Sequence, residues 1–552
     1  MPMFYVSSPH LCALAGIAAV SALLFKLVIY PTIFSPLSKI PAAHPLASVT
    51  SLWIQWQRFR DREFQCISAA FARKGPYVRL GPNEIAINSM EGVLSVYGVG
   101  SNNFDKHQSY EYFITHGSRN MFSSLGKDHG FRRRRISAVY ARSFVQSSPH
   151  VHAILDAVVL QRLLPLLFQA AATEQGSVDI LPVLQSYALD FMSSFMFGLS
   201  RGTNFLQDEC ARRHWFDLYI RSYPAGSMFW LLEQPFLTRL LCAVGVPLLP
   251  EGHFEAKQEF EAWALDKVKE SEKTLAKSEE AGIPLSYGEF PILYSAVRSG
   301  IAKDSGIDAG FTPDSSQQLE LASECFDHLV ATRDTFGTSF TYVLYEISRH
   351  QDAQADLRAE LLSLPTPFPS SSPATTPSLP PPTALENLPL LNAVIKEGLR
   401  LRNNTPGLDP RVTPMGTTRR ESSSVGPWGG LPPGVRVGAY SRCLHRDGDA
   451  FPDPEAWNPG RWLDGGGGAK ASAAAAAAAA RDRGFFAFSG GSRGCVGRQV
   501  AMELMRFAVA AIYTNFKTAV ADESEYPGTD GFLPSVKSEA EEVARDLGAF
   551  DA

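Results

Sequence analysis

A glycine-rich turn near residue 495 places one cysteine directly before a long apolar stretch. The turn reads Phe488-Ser-Gly-Gly491-Ser-Arg493-Gly-Cys495-Val-Gly497, and the segment QVAMELMRFAVAAIY after it is compatible with a helix. The glycines allow the backbone to approach a flat, bulky group. The amides and the dipole at a helix start stabilise a thiolate, which is a ligand that soft metal centres accept. The turn therefore predicts a metal-ligating Cys495; the alternative is an ordinary thiol in a Gly-rich loop.

The composition of this 552-residue chain is that of a folded protein with a sizeable core. Hydrophobic residues make up 45% and charged residues 19% of it. The net charge of −5, from 51 basic and 56 acidic residues, gives no basic excess that would favour nucleic acid as a partner. The seven cysteines are scattered without a Cys-x-x-Cys pair, which argues against a disulfide scaffold and a zinc site. A reducing compartment is therefore expected for the folded part.

An apolar segment near the N-terminus, Leu11–Tyr30, is long enough to cross a bilayer core of about 30 Å. Lys26 lies near its end, where the side chain can reach the interface. Basic residues follow the segment and none precedes it, so the positive-inside rule predicts that the rest of the chain lies in the cytosol. A cleaved signal peptide is the alternative, weakened by the missing basic start. We predict a membrane anchor over residues 1–30 and a Pro-rich hinge over residues 31–50, which proline keeps out of regular helix or strand.

Helical patterns dominate the body of the chain. Residues 75–89 predict a hairpin of two short strands. Helical periodicity prevails from Ser148 to Phe290, with breaks near Gly198 and Pro224, and returns in a long tract from Leu319 to Leu362.

Two low-complexity stretches interrupt this pattern, one rich in Pro, Ser and Thr at 365–383 and one rich in Gly and Ala at 465–480. Neither composition is suited to a core, so both predict surface insertions, the alanine run forming at most a short helix. Residues 51–552 are accordingly predicted to form one large domain.

Polar motifs upstream of the cysteine turn stand in helical or turn segments. Glu397 and Arg400 are spaced i, i+3, which puts carboxylate and guanidinium on one helical face, although a surface ion pair is the usual reason for this spacing. Arg461 stands in the turn-rich segment FPDPEAWNPGRWLD, followed by an aromatic residue. Asp334 and Thr335 lie inside an otherwise apolar helical tract, where polar groups are costly unless they are used or solvated.

In order and spacing, these motifs resemble the cytochrome P-450 family over residues 30 to 520. The resemblance implies a mainly α fold with a smaller β-rich lobe, in which haem b lies between the long central helix and the cysteine loop. It implies that Cys495 is the proximal ligand of the haem iron. It further implies haem contacts from the turn and a buried hydrogen-bonded triad, as follows: Phe488, Gly491 and Gly497 in the turn; Glu397, Arg400 and Arg461 in the triad.

The segment Ala331–Phe336 resembles the oxygen-activation motif of that family. By this resemblance Asp334 and Thr335 deliver protons during oxygen activation, through water. Thr332 stands where the family usually has glycine, and Phe336 where a second threonine is common. For Asp334 a solvated helix face is the alternative; for Thr335 it is a hydroxyl bonded to its own helix.

Haem carries two propionates, which should attract arginine and histidine side chains. Patterns similar to those of the family identify the candidates Arg493, His129, Arg133 and Arg411. The group His445–Asp447 is a weaker candidate. The run Arg132–Arg135 is otherwise a solvated basic helix end or a docking surface for an acidic electron-transfer partner.

The resemblance implies a haem-thiolate monooxygenase that inserts one oxygen atom from O2 into a lipophilic small molecule. It implies electrons from NADPH through a separate flavoprotein reductase, and a place in the endoplasmic reticulum membrane with the catalytic domain facing the cytosol. The pattern is most similar to fungal members that act in secondary metabolism, and the apolar segments suit a terpenoid, a polyketide or a fatty acid alike. Two alternatives are a haem-thiolate isomerase or dehydratase that does not use O2, and an inactive membrane-tethered binding protein.

Overall fold

The computed structural model describes residues 8–98, 104–173, 177–307, 310–365, 368, 378–403, 409–414, 423–463, 471–520 and 550–551. The chain divides into a first unit, residues up to 107 with 407–444, and a second unit, 108–406 with 445–552. The domain predicted over 51–552 is thus shared between two units. The small sheets and the predominance of helix confirm the predicted fold class.

The helices and strands have the following bounds. The α-helices are α1 Ser8–Leu24, α2 Leu52–Phe59, α3 Glu63–Lys74, α4 Met90–Tyr97, α5 Gly126–Ile136, α6 Arg142–Ser147, α7 Pro149–Leu155, α8 Leu164–Ala171, α9 Ile180–Phe197, α10 Glu209–Ser222, α11 Met228–Glu233, α12 Pro235–Ala243, α13 His253–Ala281, α14 Ile292–Asp304, α15 Ser315–Arg349, α16 Gln351–Leu362, α17 Pro382–Glu386, α18 Pro389–Leu401, α19 Ser441–Leu444, α20 Ala471–Gly484 and α21 Arg498–Asn515. The strands are β1 Tyr77–Gly81, β2 Glu84–Ile87, β3 Asp105–Lys106, β4 Arg411–Val412, β5 Ser423–Val425, β6 Trp428–Leu431, β7 Arg436–Ala439, β8 Lys517–Thr518 and β9 Phe550–Asp551.

The first unit is built on a five-stranded sheet in the order β1-β2-β7-β4-β3. Strands β1 and β2 pair antiparallel, as the predicted hairpin over 75–89 requires, and β2 pairs parallel with β7. Both hairpin strands are buried along their whole length. A small cluster of apolar side chains, including Ile54, Ile67 and Tyr440, packs in this unit.

The apolar N-terminal helix extends beyond its predicted end at residue 30. A π-helical segment, Phe25–Phe34, continues α1 and contains Pro31. Proline lacks the amide that an α-helix needs, and here the Thr32 hydroxyl donates to the Val28 carbonyl at 2.6 Å. Among the described residues, three helical stretches are long and apolar enough to cross a bilayer: Cys12–Phe34, Pro149–Ala171 and Ile180–Phe197. The first has no buried residue, whereas half of the second and nearly all of the third are buried.

The end of this helix is hydrogen-bonded to β1 through Arg79, which is 1% exposed. Its guanidinium donates to the carbonyls of Pro31 at 2.8 Å, Pro82 at 2.7 Å and Gly81 at 3.1 Å. Burial lowers the pKa of Arg79 to about 10. The residues predicted to form a hinge therefore include a helical end that is hydrogen-bonded to the sheet.

The core of the second unit lies around α15. Its N-terminus has a capping box, in which Asp314 and Gln317 each accept from the other's backbone amide. The helix packs most extensively against α9, and it also packs against α13 and α18. The helical tract predicted to Leu362 is divided at His350, where α15 ends and α16 begins. The predicted breaks near Gly198 and Pro224 are confirmed, since α9 ends at Phe197 and α10 at Ser222.

Residues 365–383 are predicted to be a surface insertion, but several of the residues that the structure describes in this stretch are buried. Phe368 is 2% exposed and its ring lies 6.3 Å from that of Phe507. At the other end, Pro382 is buried and begins α17. Apolar residues within a stretch of biased composition can still fill a cavity of the core, and composition does not register this.

The second low-complexity stretch and the C-terminal segment are described in part. Residues 464–470 lie outside the described residues, and the alanine run lies in α20, as predicted. At the C-terminus, β8 pairs antiparallel with β9. Residues 521–549 between the two strands lie outside the described residues.

Candidate active site

The turn that carries Cys495 is closed by its own backbone. The Cys495 amide donates to the Phe488 carbonyl at 2.9 Å, and the Gly494 amide to the Gly491 carbonyl at 3.2 Å. Gly491 has a φ of +63°, a conformation that glycine adopts without strain. Gly497 is the N-cap of α21. The cysteine therefore lies just before the positive end of a helix, as the sequence predicts.

The Cys495 thiol is accessible and yet set deep among protein atoms. Its side chain is exposed to solvent. Burial nevertheless raises the pKa of the thiol, against the opposing effects of the Gly497 amide and the positive charge of Arg133. A group that is both accessible and desolvated lies in a recess. The surrounding protein favours the neutral thiol, so a bound metal would supply the remaining stabilisation of a thiolate.

Helix α5 is bonded to the cysteine turn from two directions. Arg133 donates to the Gly494 carbonyl at 2.7 Å, and Arg493 donates to the Gly126 carbonyl at 3.4 Å. Burial lowers the pKa of Arg133, and the nearby Cys495 opposes this shift. His129, one turn before Arg133, is 4% exposed. Three of the four predicted propionate contacts are thus on α5 or in the turn itself.

Two of the four arginines in the run 132–135 form ion pairs inside this unit. Arg132 and Arg135 both contact Glu320 of α15, at 2.7 and 2.6 Å. Arg135 also pairs with Asp304 at 2.7 Å. These contacts join α5 to the first part of α15, so those two residues do not match a freely solvated basic end.

The middle of α15 is accessible although the helix is buried on either side. Ala331 is exposed, and Thr332, Asp334 and Thr335 are partly exposed. Thr335 donates to the Ala331 carbonyl at 2.5 Å and Thr332 to the His328 carbonyl at 2.6 Å. The hydroxyl of Thr335 thus makes the backbone bond that the alternative for this residue predicts.

Asp334 is held by side chains that the sequence motif does not reveal. Tyr219 of α10 donates to its Oδ2 at 2.7 Å, and Arg333 contacts its Oδ1 at 2.5 Å. The Arg333 guanidinium lies 4.5 Å from the ring centroids of both Phe216 and Tyr219. Arg333 was visible within the motif, but no local signal connects Tyr219 to it.

Tyr140, between α5 and α6, contacts α15. Its hydroxyl contacts Nδ1 of His328 at 2.9 Å. Burial raises the pKa of Tyr140 well above its ordinary value, and the charges of Cys325 and Cys495 add to this shift. The Tyr140 hydroxyl is thus bonded to α15 through His328.

Glu397, Arg400 and Arg461 form a buried ion cluster. Arg400 donates to both carboxylate oxygens of Glu397, at 2.8 and 2.9 Å, and Arg461 donates to Oε1 at 3.0 Å. Burial alone would raise the pKa of Glu397, but the hydrogen bonds and charges of the two arginines hold it below its ordinary value. The sequence did not identify two further donors to this carboxylate, the Trp462 indole and the Asn458 amide, each at 2.9 Å.

Arg411 lies in the first unit, on β4. It is 3% exposed and donates to Asp409 at 2.6 Å, and its guanidinium lies 4.9 Å from the Tyr97 ring centroid. The structure therefore describes Arg411 within a buried cluster of its own unit, and its predicted contact with a propionate stays a prediction.

The chemistry of these residues fits haem. Within the described part of the chain, no group of three or more His, Cys, Asp or Glu side chains could hold a bare metal ion. A metal ligated by Cys495 alone would need a prosthetic group for its remaining ligands. Arg133 and Arg493, beside the turn, have the charge that carboxylates of such a group require.

Comparison with known proteins agrees with this chemistry. The family model described as "Cytochrome P450" matches residues 47–538. The chain is 26% identical to "Cytochrome P450 monooxygenase avaI" of Aspergillus versicolor, over 79% of this chain and 94% of that protein. It is 25% identical to "Cytochrome P450 monooxygenase FGM1" of Gibberella zeae, over 85% of each chain. It is also 25% identical to "Tryprostatin B 6-hydroxylase" of Aspergillus fumigatus, over 89% of this chain and 77% of that protein.

Proposed function

Because the chain belongs to the cytochrome P450 family and is an oxidoreductase of the monooxygenase class, we propose that it inserts one oxygen atom from O2 into a lipophilic secondary metabolite. The observation that carries this proposal is the accessible, recessed thiol of Cys495 at the start of α21. Haem b, when bound, supplies the activation of O2. Cys495 Sγ would be its protein ligand.

The residues around the turn would hold the two propionates. Arg133 and Arg493 are already bonded to backbone carbonyls beside the turn, and each has further N–H groups on its guanidinium. Buried His129 belongs to the same proposed set, and Arg411 is a proposed propionate contact by the family resemblance alone. Phe488, Gly491 and Gly497 would form the turn against the haem, and a Cβ at Gly497 would lie 3.9 Å from Cys495 Sγ, an ordinary van der Waals distance.

Asp334 and Thr335 form the proposed proton-handling pair. Arg333 and Tyr219 orient the Asp334 carboxylate, and the Thr335 hydroxyl donates to the Ala331 carbonyl. A rotation of the Thr335 hydroxyl, at the cost of one helix-internal bond, would free its proton for a hydrogen bond to water. Thr332 and Phe336 stand where the family usually has glycine and a second threonine, so this part of α15 would differ in shape from that of other members.

The membrane and the electron donor belong to the same proposal. The exposed apolar helix Cys12–Phe34 supports a single-pass anchor, with the catalytic part on the cytosolic face of the endoplasmic reticulum. Electrons would come from NADPH through a separate flavoprotein reductase. The names of the relatives support a secondary metabolite as substrate, because one of them is called a tryprostatin B hydroxylase.

The absorption spectrum of the reduced, carbon-monoxide-bound protein tests this function. We expect a red-shifted Soret band that Cys495→Ala loses and that Cys210→Ala, at an exposed cysteine, retains. NADPH-dependent O2 consumption with an added reductase is the second measurement. A thiolate-ligated haem without O2 consumption would favour the isomerase or dehydratase, and a folded protein that binds no haem would favour the binding protein.

A further inference from the structure

His445 is fully buried and uses both nitrogens of its ring. The Phe486 amide donates to Nε2 at 2.8 Å, and Nδ1 lies 3.0 Å from the Arg400 carbonyl. An amide N–H can only donate, so Nε2 is the acceptor and the ring proton of a neutral imidazole is on Nδ1. The hydrogen bonds thereby select one tautomer of His445.

The surroundings of His445 keep this tautomer neutral. Burial and the positive charges of Arg400 and Arg446 lower the pKa of His445 to about 3, although its bond to the Arg400 backbone opposes the shift. The ring also stacks on Phe485, with centroids 5.6 Å apart and planes at 12°. The imidazole is therefore held by two hydrogen bonds and one stacking contact.

The two bonds join two parts of the candidate active site. Arg400, near the end of α18, belongs to the ion cluster in which Glu397 accepts from both Arg400 and Arg461. Phe486 begins the segment that leads to Cys495, and two residues later the Phe488 carbonyl accepts from the Cys495 amide. A displacement of Phe486 would therefore be transmitted to the cysteine through a short, hydrogen-bonded segment.

We propose that His445 is a positioning residue that fixes the Cys495 turn to α18, through the acceptor Nε2. This inference rests on the proposed function, because it takes Cys495 as the metal ligand. It also assigns His445 a role different from the propionate contact that the sequence suggested. A propionate would need a free donor, and the one N–H of His445 is already given to the Arg400 carbonyl.

Two substitutions separate the two bonds. The amide of Asn can replace Nδ1–H as donor to the Arg400 carbonyl, and the longer Gln can replace Nε2 as acceptor from the Phe486 amide. Each variant loses one buried hydrogen bond, so a purely structural role for His445 would affect both alike. The measurement is the amount of haem with the thiolate-ligated Soret band, divided by total haem, in His445→Gln and His445→Asn. The denaturation midpoint of each variant is measured beside it, so that the two variants are compared at equal stability.

The expected result is that His445→Gln retains the thiolate-ligated fraction, whereas in His445→Asn the ratio of thiolate-ligated to unligated haem falls about fivefold, the effect of one hydrogen bond. The same pair of substitutions at His350, whose Nδ1 contacts the Glu346 carbonyl, should leave the band unchanged. The proposal is overturned if the thiolate-ligated fraction of haem in His445→Gln is not higher than in His445→Asn, and also if both variants lose it. A wild-type protein without the band would instead contradict the proposed function.

Discussion

The Tyr219 hydroxyl donates a hydrogen bond of 2.7 Å to Oδ2 of Asp334, which lies 115 positions later in the chain. Tyr219 is 3% exposed, and the Arg333 guanidinium lies over its ring. The bond connects α10 to the accessible part of α15. The position of α10 therefore helps to set the position of the Asp334 carboxylate.

A double-mutant cycle of Tyr219→Phe and Asp334→Ala should give a coupling free energy of about 1–2 kcal/mol, because the bond joins a hydroxyl to a charged acceptor. Denaturant unfolding of the four proteins measures it. Tyr287→Phe, at a tyrosine that is 68% exposed, serves as the control and should leave the stability unchanged. Additive effects of the two substitutions would contradict the bond.

Removal of the Glu397 charge should strongly lower the free energy of unfolding. Glu397→Gln leaves two buried guanidinium groups without their anion, and we expect a loss of about 3–5 kcal/mol of unfolding free energy. The control is Glu455→Gln, which breaks a pair of Arg446 with a largely exposed carboxylate and should cost at most about 1 kcal/mol. Equal losses in the two variants would show that burial does not decide the strength of these pairs.

The stability of the protein should fall with rising pH through the titration of Glu503. Burial raises the pKa of Glu503 to about 7, although Arg506 donates to Oε2 at 2.9 Å. Oε1 is buried and has no hydrogen-bond partner within the described residues. In the unfolded chain the pKa returns to 4.5. Between these two pKa values the folded state binds a proton that the unfolded chain does not. The resulting contribution to the free energy of unfolding is fully present below pH 4.5 and is lost as pH rises through 7.

Glu503→Gln should remove this slope. Since the difference between the two pKa values corresponds to about 3 kcal/mol at most, the variant should gain up to that amount relative to wild type at pH 8 and little at pH 4.5. Urea unfolding at a series of pH values measures the slope. Glu255→Gln, on the exposed side of α13, is the control. A wild-type stability that is flat between pH 5 and 7 would contradict the prediction.

Arg79 should hold the end of the apolar helix to the sheet of the first unit. Arg79→Met keeps the length of the side chain but leaves the carbonyls of Pro31, Gly81 and Pro82 without their donor, at a cost of about 3 kcal/mol. We expect faster proteolysis between residues 36 and 50, measured on the membrane-reconstituted full chain. Arg73→Met, at an exposed arginine of α3, should leave the rate at its wild-type value. An unchanged cleavage rate in Arg79→Met would mean that the segment is held by other contacts.

Features carried by contiguous residues could be predicted from the sequence. The turn before α21, the hairpin β1–β2 and the apolar N-terminal helix each depend on local backbone preferences or on a run of apolar side chains, and these act within a few residues. The order of the motifs was sufficient to identify the family. In each case the physical cause lies in the segment itself.

Relationships between distant segments were decided only by the tertiary structure. Tyr219 reaches Asp334, the Arg79 guanidinium reaches the Pro31 carbonyl, and Phe368 fills a place beside Phe507 despite its low-complexity neighbours. Such contacts depend on which surfaces meet when helices pack and on which buried polar groups then need a partner. A sequence pattern records that a side chain is apolar or charged; the packing of the whole chain determines what that side chain touches.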